Sequence, residues 1–207
     1  MISQWHKVLV VGDFRTGKTY WCHWLLSQAQ RYIAYDPAWE LNVHQGVVTH
    51  DETALAEAVA SHARVIYQPC DPKAEFDAFC RVATSATNAI VYVDEPALVM
   101  SSSGAIPPAF SRLYRLGHKR GLGVLLSTHR YQGDLPALTR VAHHVVAFRC
   151  SVNRDLMALR EILGEAGAEW VRTAPSHAYW HRDVFVPEYP QGRPMRPVKS
   201  RAPRQKR

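Results

Sequence analysis

Residues 8–19 read V-L-V-V-G-D-F-R-T-G-K-T, four apolar residues followed by G-x-x-x-x-G-K-[ST]. Gly12 lets the chain leave a buried strand in a sharp turn, and Gly17 keeps a Cβ away from a phosphate that approaches the backbone. Between them Asp13, Phe14, Arg15 and Thr16 present their amides as a ring of N–H donors. Lys18, Thr19 and Tyr20 extend the ring into the start of a helix, whose positive end faces the anion. Lys18 reaches the β- and γ-phosphates as a point charge, and the Thr19 hydroxyl is placed for Mg²⁺. The apolar run before the loop and the helix-compatible T-Y-W-C-H-W-L-L-S-Q-A-Q after it supply the strand–loop–helix context that the pattern needs. The expectation is an α/β fold that binds ATP with Mg²⁺.

Such a loop serves kinases, GTPases and motors alike, so the position of the next carboxylates decides more. Residues 89–96 read A-I-V-Y-V-D-E-P, a β-branched and aromatic run ending in two acids. A continuous run of this kind reads as a strand buried on both faces. Asp94 at its tip matches a Walker B acid, since Mg²⁺ prefers one or two carboxylates together with phosphate oxygens. Glu95 leaves the strand on the opposite side of the pleat, where it is the candidate general base that polarises a water for in-line attack. Small-molecule kinases need no such second acid, so the pair favours hydrolysis.

The chain has 207 residues, 47% of them hydrophobic, enough for one α/β core. No stretch approaches the apolar length of a membrane helix, and M-I-S-Q-W-H-K lacks the apolar core of a signal peptide, so a soluble protein is expected. Cys22, Cys70, Cys80 and Cys150 show no ligand spacing and read as reduced thiols, with Cys22 and Cys150 in core elements. The net charge of +7 is concentrated in residues 192–207, which carry seven Lys and Arg and no acid. Residues 1–191 are therefore formally neutral and are read as a single domain, followed by a basic, Pro-rich, disordered tail. Such a tail suits a nucleic-acid backbone or an acidic protein surface.

Strand-like and helix-like stretches alternate along the domain, as in a mostly parallel sheet covered by helices. Strands are expected at 7–11, 31–35, 63–68, 90–93, 121–127, 144–149 and 178–186. Helices are expected at 19–30, 52–62, 73–83, 109–119 and 156–164, with a flexible connection at 101–108. In the third of these helices Phe76, Phe79, Cys80 and Ala83 share one face.

Residues 112–130 read R-L-Y-R-L-G-H-K-R-G-L-G-V-L-L-S-T-H-R. With Y-D-P at 35–37, V-I-Y-Q-P at 65–69 and V-Y-V-D-E-P at 91–96, this block resembles the FtsK/HerA superfamily of DNA-translocating ATPases. Within it, the chain is most similar to the small genome-packaging ATPases of tailless icosahedral double-stranded-DNA viruses with an internal membrane. The resemblance spans about residues 7–150 in motif order. It implies a RecA-like P-loop fold and a homo-oligomeric ring of five or six copies with active sites between subunits. It also implies double-stranded DNA as the partner, a capsid vertex or virion membrane protein as the mount, and a virion or host-cytoplasmic location. The family's strand after Walker B ends in a polar sensor, here Thr128 and His129. Its arginine finger, contributed to the neighbouring subunit, falls at Arg120, with Arg115 and Arg112 as alternatives.

The remaining histidines, including His143, His144, His177 and His181, read as nonligands, because strand neighbours point to opposite faces. Trp5, Trp39 and Trp180 lie near element ends. A Zot-like or plasmid-mobilisation ATPase shares the same core, and a P-loop kinase acting on a small acceptor is the alternative from another class. A non-hydrolytic scaffold is disfavoured by the intact Lys18, Asp94 and Glu95.

Overall fold

Gly12, Asp94 and Thr128 are far apart in sequence yet end three neighbouring strands, and the architecture follows from that. The computed structural model describes residues 2, 3, 5–41, 46–99, 105–132 and 135–184. The strands are β1 Lys7–Val11, β2 Tyr32–Tyr35, β3 Val47–Thr49, β4 Arg64–Tyr67, β5 Ile90–Asp94, β6 Gly123–Thr128, β7 His144–Phe148 and β8 Tyr179–Asp183. The helices are α1 Lys18–Gln28, α2 Glu52–Ser61, α3 Pro72–Ser85, α4 Pro108–Leu116, α5 Leu135–Thr139 and α6 Asn153–Thr173. One sheet has the order β3-β4-β2-β5-β6-β1-β7-β8, parallel throughout except for the antiparallel edge strand β8.

The sheet is covered unequally. On one face Leu9, Val11, Ile33, Tyr35, Val91, Val93, Val124 and Leu126 pack against apolar residues of α2, α3, α4 and α6. The other face, including Val8, Val10, Tyr32, Tyr92, Leu125 and Phe148, takes Trp21, Cys22, Leu25 and Leu26 of α1. Alternation along each strand therefore sorts side chains between two cores, and both are apolar because both faces are covered. An aromatic group anchors the larger core. Tyr35 meets Phe76 and Phe79 at centroid distances of 4.9 and 4.8 Å, and Phe76 meets Phe110 at 5.2 Å.

Helix starts carry local signals. Asp51 accepts the Ala54 N–H at 2.9 Å, and Asp71 accepts those of Lys73 and Ala74 at 3.1 and 3.0 Å, with Pro72 opening the helix. Glu75 closes a reciprocal cap by accepting the Asp71 N–H at 2.7 Å, while its other oxygen accepts Tyr67 Oη at 2.5 Å.

Several features differ from the sequence expectation. β3 is a three-residue strand on the sheet edge beside β4, too short to leave a pattern. α5 is a five-residue helix in a stretch to which the sequence reading assigns no element. The last helix does break at Gly164, whose φ is 73°, but the chain resumes helix at once, because Gly167, Ala168 and Val171 are buried beyond the break. The expected 109–119 helix divides into α4 and a 3-10 turn at Gly117–Arg120. The late strand begins at Tyr179, and residues 185 and 186 of the expected span lie outside the described residues. So do residues 101–104 of the connection and the basic tail. Among the described residues no helix is long and apolar enough to cross a membrane. Cys22, Cys80 and Cys150 are buried free thiols, and Cys70 is exposed.

Histidines at the far edge of the sheet form a hydrogen-bonded row. Ser3 N–H donates to His6 Nδ1 at 3.0 Å, so the 2.8 Å contact between that nitrogen and His144 Nε2 is donated by His144. His144 Nδ1 is then the acceptor for His181 Nε2 at 3.2 Å, with Asp183 Oδ2 at 3.5 Å. Burial pushes His144 down to about 4, outweighing the opposing Asp183 charge, and lowers His6, His143 and His181 as well. Between pH 6.5 and 4 the unfolded chain binds protons that the folded chain refuses, so stability present above that window is lost on acidification. Urea unfolding at about pH 7 and about pH 4.5 should show a loss on the order of 2 kcal/mol, reduced in His144→Gln. An equal loss in both proteins would contradict this account of the row.

Candidate active site

The loop after β1 is held from both sides. Gly12 N–H donates to Thr128 O of β6 at 3.3 Å, and Asp13 N–H donates to Arg149 O beyond β7 at 2.7 Å. The Asp13 carboxylate accepts Ser151 N–H at 3.0 Å, and its carbonyl accepts both Thr16 Oγ1 and Lys18 Nζ at 2.8 Å. Gly12 and Gly17 have φ of 153° and 109°, which side-chain-bearing residues rarely adopt. A Cβ at Gly12 would lie 2.7 Å from Phe148 Cβ, and one at Gly17 would lie 2.9 Å from His177 Nδ1 and 3.2 Å from Phe148 Cε1. Backbone conformation and close protein packing therefore each call for glycine at these two positions. Phe14 and Arg15 project from the loop, with Phe14 72% exposed, and Thr16 and Lys18 are buried. Thr19 and Tyr20 are exposed on the first turn of α1.

Burial draws the Lys18 ammonium below the usual lysine range, against the attraction of Glu95, Asp94 and Asp13. Asp94 closes β5 opposite Ser127 of β6. Tyr92, two residues earlier and on the same face, donates its hydroxyl to Asp94 Oδ1 at 2.9 Å. Burial nevertheless raises Asp94 to about 6. The Tyr92 and Ser127 hydroxyls work against this rise, whereas the charges of Glu95 and Asp36 add to it. A carboxylate pushed up by burial and by two other acids is short of positive charge, and its oxygens are of the hard kind that Mg²⁺ prefers.

Glu95 sits at φ 45°, in the left-handed region, with its N–H donated to Ser127 O at 2.8 Å. That turn directs its carboxylate to the end of β6. Thr128 Oγ1 donates to Oε1 at 2.7 Å, His129 N–H donates to Oε2 at 3.0 Å, and His129 Nδ1 is in close contact with the same oxygen. His129 packs against Phe14 at a centroid distance of 4.2 Å, with the ring planes tilted by 34°. The two expected sensor residues therefore converge on the expected general base and on the loop.

The arginines divide differently. Arg120 Nε donates to Ala86 O at 3.1 Å and Nη2 to Ser85 O at 2.7 Å, capping the last carbonyls of α3. It also lies before β6, at the edge of the sheet opposite Lys18 and Asp94. Arg120 is accordingly a structural cap here rather than an unengaged cation. Arg112 and Arg115 are exposed on α4 and make no hydrogen bond among the described residues.

Several neighbours of the site escape sequence reading. Tyr92 could have been found from its two-residue spacing to Asp94. Asp36, fully buried at the end of β2, accepts Glu40 N–H, Leu41 N–H and Gln68 Nε2 at 3.0, 3.0 and 2.9 Å. Asp155 of α6 accepts Tyr131 N–H at 3.2 Å and stands 3.3 Å from Arg130 Nε, an ion contact without hydrogen-bond alignment, which fixes the segment after the sensor pair.

No protein-family model matches the chain, and no curated protein matches it. Solved structures do. The genome packaging NTPase B204 from Sulfolobus turreted icosahedral virus 2, in complex with sulfate, is 18% identical with a TM-score of 0.74, over 88% of this chain and 93% of that one. The same protein in complex with AMPPCP is 19% identical with a TM-score of 0.73, over 89% and 95%. B204 from Sulfolobus Turreted Icosahedral Virus, described as a DNA-packaging ATPase, is 18% identical with a TM-score of 0.66, over 87% and 93%. The fold is that of P-loop NTPases, with a RecA-like sheet.

Asp94 carries a consequence for stability. Its value in the folded chain is about 6 against an ordinary 3.8, so folding above that window holds a charge at a cost that is absent below it. Asp94→Asn should therefore stabilise the nucleotide-free protein near pH 8 by about 1–3 kcal/mol and have little effect near pH 4. Adding Mg²⁺ should raise the melting temperature of the unsubstituted protein and not that of the variant. A destabilised Asp94→Asn near pH 8 would contradict the reading of an uncompensated carboxylate.

Proposed function

We propose that the chain is an ATP-hydrolysing subunit of a ring motor that drives double-stranded DNA into a preformed viral capsid. The observation that carries this reading is the convergence at one sheet edge of Lys18, Asp94, Glu95 and the Thr128–His129 pair. Similar structures of genome packaging NTPases, crystallised with AMPPCP and ATP-γS, support it.

Each residue has a task that its position allows. The loop amides and Lys18 bind the phosphates, displacing the Lys18 contact to the Asp13 carbonyl. Thr19 and Asp94 would hold Mg²⁺, which when bound neutralises phosphate charge and orients the γ-phosphate. Glu95 accepts a proton from the attacking water, and Thr128 and His129 orient its carboxylate by hydrogen bonds. With a proton on Nδ1, His129 can give that bond up to a phosphate oxygen as the nucleotide seats. That exchange would couple nucleotide binding to release of the base.

Arg120 is committed to α3 and Arg130 stands against Asp155, so neither is placed to reach developing charge on the γ-phosphate from within its own chain. A neighbouring copy would supply an arginine from α4, through Arg112 or Arg115. Phe14, exposed yet packed against His129, together with the exposed Leu98 and Trp39, offers an apolar surface for that neighbour. Five or six copies would close the ring, mounted at a capsid vertex or on a virion membrane protein, with the basic tail available to DNA.

Phosphate release should rise on adding double-stranded DNA and should fall at least about a hundredfold in Lys18→Ala and in the Arg112→Ala, Arg115→Ala double variant. Mixing the two inactive proteins should restore turnover, because one retains an intact loop and the other an intact arginine helix. Turnover by a monomer that ignores DNA, with no rescue on mixing, would overturn the motor reading.

A further inference from the structure

The sheet order gives the nucleotide a direction. Asp94, Glu95 and His129 all lie on the β5–β6 side of the loop, so the γ-phosphate end points there, and the nucleoside must leave over the β7–β8 side. What stands on that side is the turn between α6 and β8. Ala178 N–H closes it onto Pro175 O at 3.1 Å, and its third residue, His177, is exposed with a φ of 63°. Glycine or asparagine is the ordinary occupant of such a position, and histidine there costs free energy that the turn alone does not require.

The turn is firmly placed. Ala174 is buried before it, and Tyr179 after it pairs with Phe148 of β7. The Tyr179 ring packs on Phe148 and on Trp21 of α1 at centroid distances of 5.3 and 6.3 Å. This packing sets the His177 imidazole against the phosphate loop, with Nδ1 2.9 Å from the point where a Gly17 Cβ would stand. Nδ1 faces the loop. Tyr20, 58% exposed three residues beyond Gly17, presents an aromatic ring at the start of the same helix.

We infer that His177 is the nucleoside-contacting residue of this site, meeting the ribose or base so that the protein holds a nucleoside triphosphate more tightly than a bare polyphosphate chain. The inference rests on the nucleotide-binding reading above and adds a specificity determinant to it. The sequence offers no motif for this residue, because it comes from a turn more than 150 positions beyond the loop it serves.

Calorimetric titration of ATP and of inorganic tripolyphosphate, each with Mg²⁺, into the full chain and into His177→Gly and His177→Asn tests it. Both substitutions suit the backbone at φ 63°, so the variants should melt no lower than the parent. ATP affinity should nevertheless fall about tenfold in each, as expected for a lost base or ribose contact, with tripolyphosphate affinity unchanged. Unchanged ATP affinity, an equal loss for both ligands, or a parent protein that binds tripolyphosphate as tightly as ATP would overturn the inference while leaving a phosphate site standing. A parent protein that binds neither ligand would overturn the nucleotide reading itself.

Discussion

The site depends on the register in which β5, β6 and β1 are hydrogen-bonded. Val11 stands beside Thr128 and Asp94 beside Ser127, so one row across three parallel strands contains the start of the phosphate loop, the sensor pair and the two acids. Parallel strands all end at the same edge, and the residues that follow them must turn there. A slip of one residue in β5 would send Asp94 to the α2–α3 face and Glu95 to the α1 face, separating both from their partners. Buried β-branched side chains on both faces oppose that slip, which is why a chemically demanding arrangement stands on an apolar framework.

The same edge concentrates charge that the framework does not neutralise. Asp36 and Glu95 lie close enough to raise the Asp94 carboxyl, and among the described residues the buried cation beside them is Lys18, itself lowered by burial. In the proposed function, triphosphate and Mg²⁺ would bring both signs of charge to such a place, and the free-energy cost of these unbalanced charges would become affinity for the pair. Glu95 adds backbone strain, held in the left-handed region by Thr128 and His129. Strain and unbalanced charge thus fall on the residues assigned to chemistry, whereas the aromatic core around Tyr35, Phe76 and Phe79 carries neither.

How far these features could be read in the sequence varies with how local they are. The V-L-V-V-G-D-F-R-T-G-K-T and A-I-V-Y-V-D-E-P stretches contain their own strands and turns, and the structure puts the loop, Asp94 and Glu95 where those patterns imply. Thr128 and His129 were named through the family resemblance, and the structure sets both against Glu95. The contact of Arg120 with α3 was not legible, since a cation before a strand looks the same in sequence whether it is exposed or capping a helix 34 residues earlier. β3 gave no signal because three residues on an edge need no pattern. The Gly164 break was visible, but the helix beyond it depends on packing that only the folded chain supplies. His177, Asp155 and the histidine row act through contacts across more than 20 positions, which no local rule registers.

The central claim is that Glu95 activates water for a nucleotide held by the loop and Lys18. The most direct measurement is to follow Mg-ATP binding and single-turnover cleavage side by side in the parent protein and in Glu95→Gln. The account predicts that the variant binds ATP at least as tightly as the parent and cleaves it about a thousandfold more slowly or worse. Cleavage by Glu95→Gln at the parent rate would contradict it.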